Sequence, residues 1–213
     1  MKHYRSIEKN VQDYLGQHVF GFDKIDGSNF CAEWNKKLSK KSRFTNGFGK
    51  FGTRTETIKN ASNPFTEAVN IFMDKYSGPL DKIFCENKLF RGVDTITVYG
   101  EFAGPRSFAG QHDWINDIDD FDVTIFDMFM YKKDFVKPAD FIDLFGQLNV
   151  QKLVCQGLLD EQMITDIISN IYGLKEGVVL KGVSEGKVWM VKVKTQDWLN
   201  KIRAQYGENN NIE

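Results

Sequence analysis

The sequence predicts an α+β fold, with antiparallel sheets and helices packed outside them. Three observations lead there. Eighteen phenylalanines among 213 residues favour a strand-rich, aromatic core over a helical bundle. Runs of β-branched and aromatic residues recur, Thr95-Ile96-Thr97-Val98-Tyr99 being the clearest. Between them lie segments whose apolar residues return at helical spacing.

In chain order, residues 19–22 and 28–34 read as strands on either side of a Lys-Ile-Asp-Gly turn. The basic run 36–41 reads as a solvated hairpin tip. Residues 43–54, with Gly47, Gly49 and Gly52, read as a flexible loop carrying two arginines. Asn63-Pro64 opens a helix to about residue 76, because proline suits the first helical position. Gly78-Pro79 breaks it, and a second short helix follows to about residue 88. Strands come next at 95–102 and 121–131, separated by a loop at 104–120 rich in Gly and Asp. Helices follow at 139–147, marked by Phe141, Ile142, Leu144 and Phe145, and at 160–172. Residues 178–181 and 188–194 form a final hairpin turned at Glu185-Gly186, and 195–206 a closing helix. The tail 207–213 reads as disordered.

Composition narrows the class. An apolar share of 41% and a charged share of 27% describe an ordinary globular protein. A net charge of −1 leaves nucleic acid open as a partner, because a basic groove is a local feature. Cys31, Cys85 and Cys155 are odd in number and far apart, which argues against a disulfide framework or a Cys-rich zinc site. His3, His18 and His112 lack metal spacing, and Trp189 and Trp198 read as core. No apolar run approaches the ~18 residues of a membrane span, and the first ten residues do not form a signal peptide. A soluble cytoplasmic protein without membrane partners is expected.

Five short patterns carry potential chemistry. Lys24-Ile25-Asp26-Gly27 places a lysine between two strands, where desolvation or nearby positive charge would favour the neutral, nucleophilic amine. Tyr99-Gly100-Glu101-Phe102-Ala103-Gly104 places an acid between glycines that admit a ligand closely; such a carboxylate suits a ribose hydroxyl. Phe126-Asp127 offers an aromatic face to a nucleobase. Glu176-Gly177-Val178-Val179-Leu180-Lys181 precedes Val191-Lys192-Val193-Lys194, whose alternation puts Lys192 and Lys194 on one strand face, suited to a polyphosphate. Glu176 and Glu101 are hard oxygen donors of the kind Mg²⁺ prefers. Taken singly, each pattern also fits an ordinary strand end, an edge strand or a core aromatic. Their order and company decide.

That order resembles the covalent nucleotidyltransferase superfamily, which contains DNA ligases, RNA ligases and mRNA capping enzymes. The resemblance runs from about Phe20 to Lys194. Lys24-Ile25-Asp26-Gly27-Ser28-Asn29-Phe30 and Gly100-Glu101-Phe102-Ala103-Gly104-Pro105 are most similar to the second class of phage RNA ligases and the kinetoplastid RNA-editing ligases. Those carry Lys-x-His-Gly-Thr-Asn-Phe. Asp26 departs toward the DNA-ligase pattern, and Asp23 stands where a Glu commonly precedes the lysine.

The resemblance implies a nucleotidyltransferase (ATP-grasp-like ligase) fold over residues 1–206 and an ATP-dependent polynucleotide ligase with Mg²⁺ or Mn²⁺. Lys24 would form the lysyl–AMP, Glu101 bind ribose, Phe126 stack on adenine, and Glu176 assist the metal or orient Lys24. Lys192 and Lys194 would contact the α-phosphate, with Ile25 and Lys181 also lining the nucleotide site. Asn29 and an arginine, Arg43 with Arg54 as the alternative, would hold the triphosphate. The partners implied are RNA or DNA strand ends and nicks. Only about 19 residues follow Lys194, leaving no room for an OB-fold or a C-terminal helical domain, so an accessory protein or domain would clamp the substrate. Rival readings are a minimal DNA nick ligase, favoured by Asp26, a capping guanylyltransferase, and an inactive nucleic-acid-binding relative.

Overall fold

A computed structural model describes residues 1–42, 44–58, 65–104 and 120–206, with the backbone alone at 205 and 206. The chain divides into two compact units, Met1–Arg5 with Gly27–Val150, and Ser6–Asp26 with Gln151–Glu213. Each holds a four-stranded antiparallel sheet and its own helices, so the α+β architecture is borne out.

The first unit contains β2 (Ser28–Asn35), α1 (Lys36–Lys41), β3 (Phe48–Thr53), α2 (Thr66–Lys75), α3 (Ser77–Glu86), β4 (Thr95–Ala103), β5 (Asp122–Met130) and α4 (Pro138–Phe145). Strand order is β3-β2-β4-β5. One face of this sheet, carrying Phe30 and Trp34, packs on the helices. Phe72 of α2 sits 5.6 Å from Phe30 and 4.9 Å from Phe48, and Phe84 of α3 lies 5.4 Å from Trp34, ring centre to ring centre. The opposite face carries Asn29, Cys31, Tyr99 and Glu101, which alternate with the helix-facing residues. Residues 1–5 lie against it, with the Tyr4 ring 4.9 Å from Tyr99.

The second unit contains β1 (His18–Asp23), β6 (Leu153–Leu158), α5 (Glu161–Ile168), β7 (Gly177–Ser184), β8 (Lys187–Lys194) and α6 (Gln196–Tyr206), in sheet order β6-β1-β7-β8. Val19, Val178, Leu180, Val191 and Val193 form one face, packed on Ile164 and Ile167 of α5. Asp160 caps α5 by accepting from Met163 N at 2.8 Å. The β7–β8 hairpin turns at Glu185-Gly186 as expected. Both have positive φ (50° and 79°), which a two-residue primed turn requires.

Four elements differ from the sequence expectation. Residues 36–41 form a helix rather than a hairpin tip, because the Asn35 side chain accepts from Lys37 N at 2.9 Å and caps it. Much of the expected glycine loop is strand β3, whose Phe48 buries against Phe72. Gly52 there permits close approach: an added Cβ would stand 2.6 Å from the Glu56 carbonyl oxygen. Gly78-Pro79 lie inside the first turn of α3, where the backbone N–H groups have no intrahelical acceptor, so proline is tolerated. Strand β6 was not anticipated. It is a half-exposed edge containing Gln156 and Gly157, with no apolar alternation to announce it. The expected helix start at Asn63-Pro64, the loop after Gly104 with His112, and the tail 207–213 lie outside the described residues.

All three cysteines are free thiols. Burial pushes the Cys31 thiol up to about 12. Among the described residues no helix is long and apolar enough to cross a membrane.

The aromatic stack around Phe72, 1% exposed, makes a stability prediction. Phe72→Ala should lower unfolding stability in urea by about 3–5 kcal/mol. Phe44, 95% exposed, should tolerate the same change within about 0.5 kcal/mol. Equal effects would contradict the packing described.

Candidate active site

Strand β1 ends at Asp23, and the next residue is Lys24. Two backbone bonds clamp that end: Asp23 N donates to Lys152 O at 2.9 Å, and Lys24 N donates to Gly177 O at 2.8 Å. Gly177 lets β8 pass close to β7 at this point. A Cβ there would meet Val193 O at 2.2 Å and Lys194 Cα at 2.8 Å. The turn is therefore not a hairpin, since β1 and β2 belong to different sheets.

Glu176 is 3% exposed and organises the charges around Lys24. Its Oε2 accepts from Lys24 Nζ at 2.6 Å, and its Oε1 lies 3.4 Å from Lys194 Nζ. Glu176 itself is held by Thr195, whose N–H donates to the Glu176 carbonyl at 3.0 Å. Lys194 Nζ also lies over the Trp198 ring, 3.6 Å from its centre, so Trp198 is a wall of the site as well as core. The cationic surroundings expected for Lys24 are present, but a carboxylate lies among them. Two ammoniums share one buried anion.

The register β7–β8 pairs Gly177 with Lys194, Val179 with Lys192 and Lys181 with Met190. Lys181, Lys192 and Lys194 therefore project from the same sheet face, opposite the α5 core. The expected alternation of Lys192 and Lys194 holds. Burial lowers the pKa of Lys192, and Lys194, Lys24 and Lys9 lower it further while Glu176 opposes. Lys194 is lowered chiefly by burial and then by Lys24, against the raising effect of Glu176. Lys181 is 3% exposed with its ammonium 4.8 Å from the Phe22 ring centre. Ile25 is half-buried beyond the strand end.

In the first unit, Asn29 and Glu101 are direct cross-strand partners on β2 and β4, and Thr124 stands opposite Glu101 on β5. Gly27 lets the chain pass close by, as an added Cβ would lie 2.7 Å from Glu101 Cγ. The β4–β5 register shifts between Tyr99 and Gly100, which pair with Asp127 and Ile125. Phe126 is the extra residue of that bulge, and bulges re-aim side chains. It joins Tyr99 (6.4 Å) and Tyr4 (5.0 Å) on the sheet face that carries Asn29 and Glu101. Tyr4 OH donates to Asp127 Oδ2 at 2.7 Å. Asn29 Oδ1 is buried without a hydrogen-bond partner among the described residues.

Arg54 follows β3, with its carbonyl 2.7 Å from His3 Nδ1; Arg43 lies outside the described residues. Among the described residues no group of three His, Cys, Asp or Glu side chains is placed to hold a metal ion. Tyr4 and Gln151 escaped the sequence reading, since neither stands in a motif.

A strand-end lysine thus pairs with the Glu of Glu-Gly-Val-Val-Leu-Lys, beside Lys-x-Lys on the following strand. The model of the RNA ligase family matches residues 17–194, and the chain belongs to that family. No curated protein matches in sequence. Among solved structures, the fold is similar to mutants of Naegleria gruberi RNA ligase. The form with ATP and Mn is 16% identical over 94% of this chain and 58% of that one, with a TM-score of 0.64. The form with AMP and Mn is 15% identical over 93% and 58%, with a TM-score of 0.64. The Naegleria gruberi RNA ligase with PPi is 15% identical over 96% and 58%, with a TM-score of 0.62. The chain thus spans 58% of the length of these ligases.

Proposed function

We propose that this chain is an ATP-dependent RNA ligase that captures AMP on Lys24, passes it to a 5′-phosphate and joins that end to a 3′-hydroxyl. The observation that carries the reading is the Lys24–Glu176–Lys194 cluster at the end of β1, within the stretch that matches the family. The solved relatives that contain ATP, AMP or PPi support a nucleotide as the first substrate.

In the first step the Lys24 amine attacks the α-phosphorus in line; the N–P bond forms and the bond to pyrophosphate breaks. The attacking nitrogen must shed a proton, and Glu176 Oε2 at 2.6 Å is the acceptor placed to receive it. Lys192 and Lys194 offset charge on the non-bridging oxygens, because positioning and charge dominate phosphoryl-type transfer. AMP then moves to the 5′-phosphate of a strand, and the 3′-oxygen displaces it in the third step. Lys181 and Ile25 belong to the same nucleotide site. Glu101 takes the ribose, Phe126 the base, and Asn29 and Arg54 or Arg43 the triphosphate. Rotating its amide lets Asn29 present N–H to an anion.

A divalent cation accompanies the nucleotide in two of these relatives. Both Glu176 oxygens are already engaged by ammoniums, so Glu176 fits a cation through water rather than directly. In the first unit Glu101, half-buried, is the carboxylate that the resemblance names. When bound, such a cation would supply charge stabilisation on phosphate oxygens. The free thiols suit a reducing, cytoplasmic setting.

The test is incubation with each radiolabelled NTP and NAD, followed by a denaturing gel. Label from ATP alone is expected; no label from ATP with the fold intact would end the ligase reading. Asp26 favours a DNA nick ligase as the second reading. Nicks with a 3′-ribose terminus should seal faster than 3′-deoxy nicks, and the reverse preference would choose DNA.

A further inference from the structure

Gln151 precedes strand β6 by two residues and is 6% exposed. Its Nε2 donates to the Asp23 carbonyl at 2.6 Å. A backbone carbonyl only accepts, so this contact fixes which end of the carboxamide is nitrogen. Oε1 is therefore the acceptor end, buried and without a hydrogen-bond partner among the described residues. A buried amide oxygen left unpaired is a standing penalty, and in a native fold it calls for a ligand, a water or a functional reason.

Its location narrows the choice. Asp23 is the residue immediately before Lys24, and the neighbouring backbone donors are taken. Asp23 N is bonded to Lys152 O, and Lys24 N to Gly177 O. The unused group beside the nucleophile is thus an acceptor, which requires a donor from the ligand. Phosphate oxygens of a nucleoside triphosphate only accept, and the lysine-rich face of β7 and β8 suits them. The donors such a molecule carries are its ribose hydroxyls and the amino group of its base. Glu101, in the first unit, is assigned to the ribose.

We infer that Gln151 is a specificity-determining residue, whose Oε1 accepts a hydrogen bond from the 6-amino group of adenine. This rests on the adenylylating reading above and adds to it the means of choosing the base. Guanine carries a carbonyl at that position, which would meet Oε1 lone pair to lone pair. A site built to bond a polar group discriminates strongly against an analogue that lacks it.

The probes are ATP and purine riboside triphosphate, which has hydrogen in place of the 6-amino group. Rates of covalent adduct formation by the full chain are read by intact mass at subsaturating nucleotide. The wild type should favour ATP by about tenfold. Gln151→Met, of similar length but without the acceptor, should bring that ratio close to one. The variant also loses the Nε2 bond to the Asp23 carbonyl, a loss common to both nucleotides, so the KM for ATP should rise about tenfold more than that for the purine riboside.

A loss shared equally by both nucleotides would mark a structural role and overturn the inference. So would equal wild-type rates with the two nucleotides, a result that needs no variant to fold. Absence of any adduct with either nucleotide would overturn the ligase reading together with this one, whereas an unchanged ratio in Gln151→Met defeats this one alone.

Discussion

Replacing Lys24 by alanine is expected to abolish transfer of label from α-phosphate-radiolabelled ATP to the protein, a loss on the order of a thousandfold or more. The amine is the only group proposed to form the covalent bond, so its removal leaves no weaker version of the same step. Lys24→Arg should fail equally, because a guanidinium stays protonated and cannot serve as the nucleophile. The side chain is 23% exposed, so its truncation should leave the fold standing. Joining of a strand that already carries a 5′-adenylate should survive in Lys24→Ala, since the lysine's bond-forming role is finished by then. That retained joining separates a lost nucleophile from a lost fold. Normal labelling of Lys24→Ala would overturn the assignment.

Glu176→Gln is expected to slow labelling about a hundredfold while melting close to the wild type. The amide keeps the size of the side chain but removes the anion that Lys24 and Lys194 share at 2.6 and 3.4 Å. It also removes the acceptor for the Lys24 proton. Glu176→Ala should do worse, leaving two ammoniums facing each other without a counter-charge. Deleting one member of a buried ion pair destabilises by about 3–5 kcal/mol. The partial exposure of Lys24 and Lys194 places this case below that range. Labelling by Glu176→Gln at the wild-type rate would show that the ion pair is structural only.

These two expectations reach different depths of the sequence. Lys24, Glu176, Lys192 and Lys194 were legible as motif members, because their spacing recurs in a known superfamily. That Glu176 pairs with Lys24 across 152 residues was not legible, since sequence spacing does not say which distant strand lies alongside. Gln151 was invisible for a different reason. A lone amide in a loop becomes informative only when burial is known and its partners are counted. Phe126 falls between these cases. Its motif was readable, yet the bulge that puts it beside Tyr4 and Tyr99 depends on how β4 and β5 register.

Local periodicity settled much of the architecture. Alternation along β8 fixed the shared face of Lys192 and Lys194, and Glu185-Gly186 fixed the hairpin turn, because both follow from backbone geometry within a few residues. Helix α1, strand β3 and edge strand β6 are settled by capping, ring packing and pairing with β1 that only the folded chain supplies. The sequence alone thus determined the family and the order of its motif residues. Tertiary structure decided which charges meet and which polar atom is left wanting, because burial and partnership arise between segments far apart in the chain.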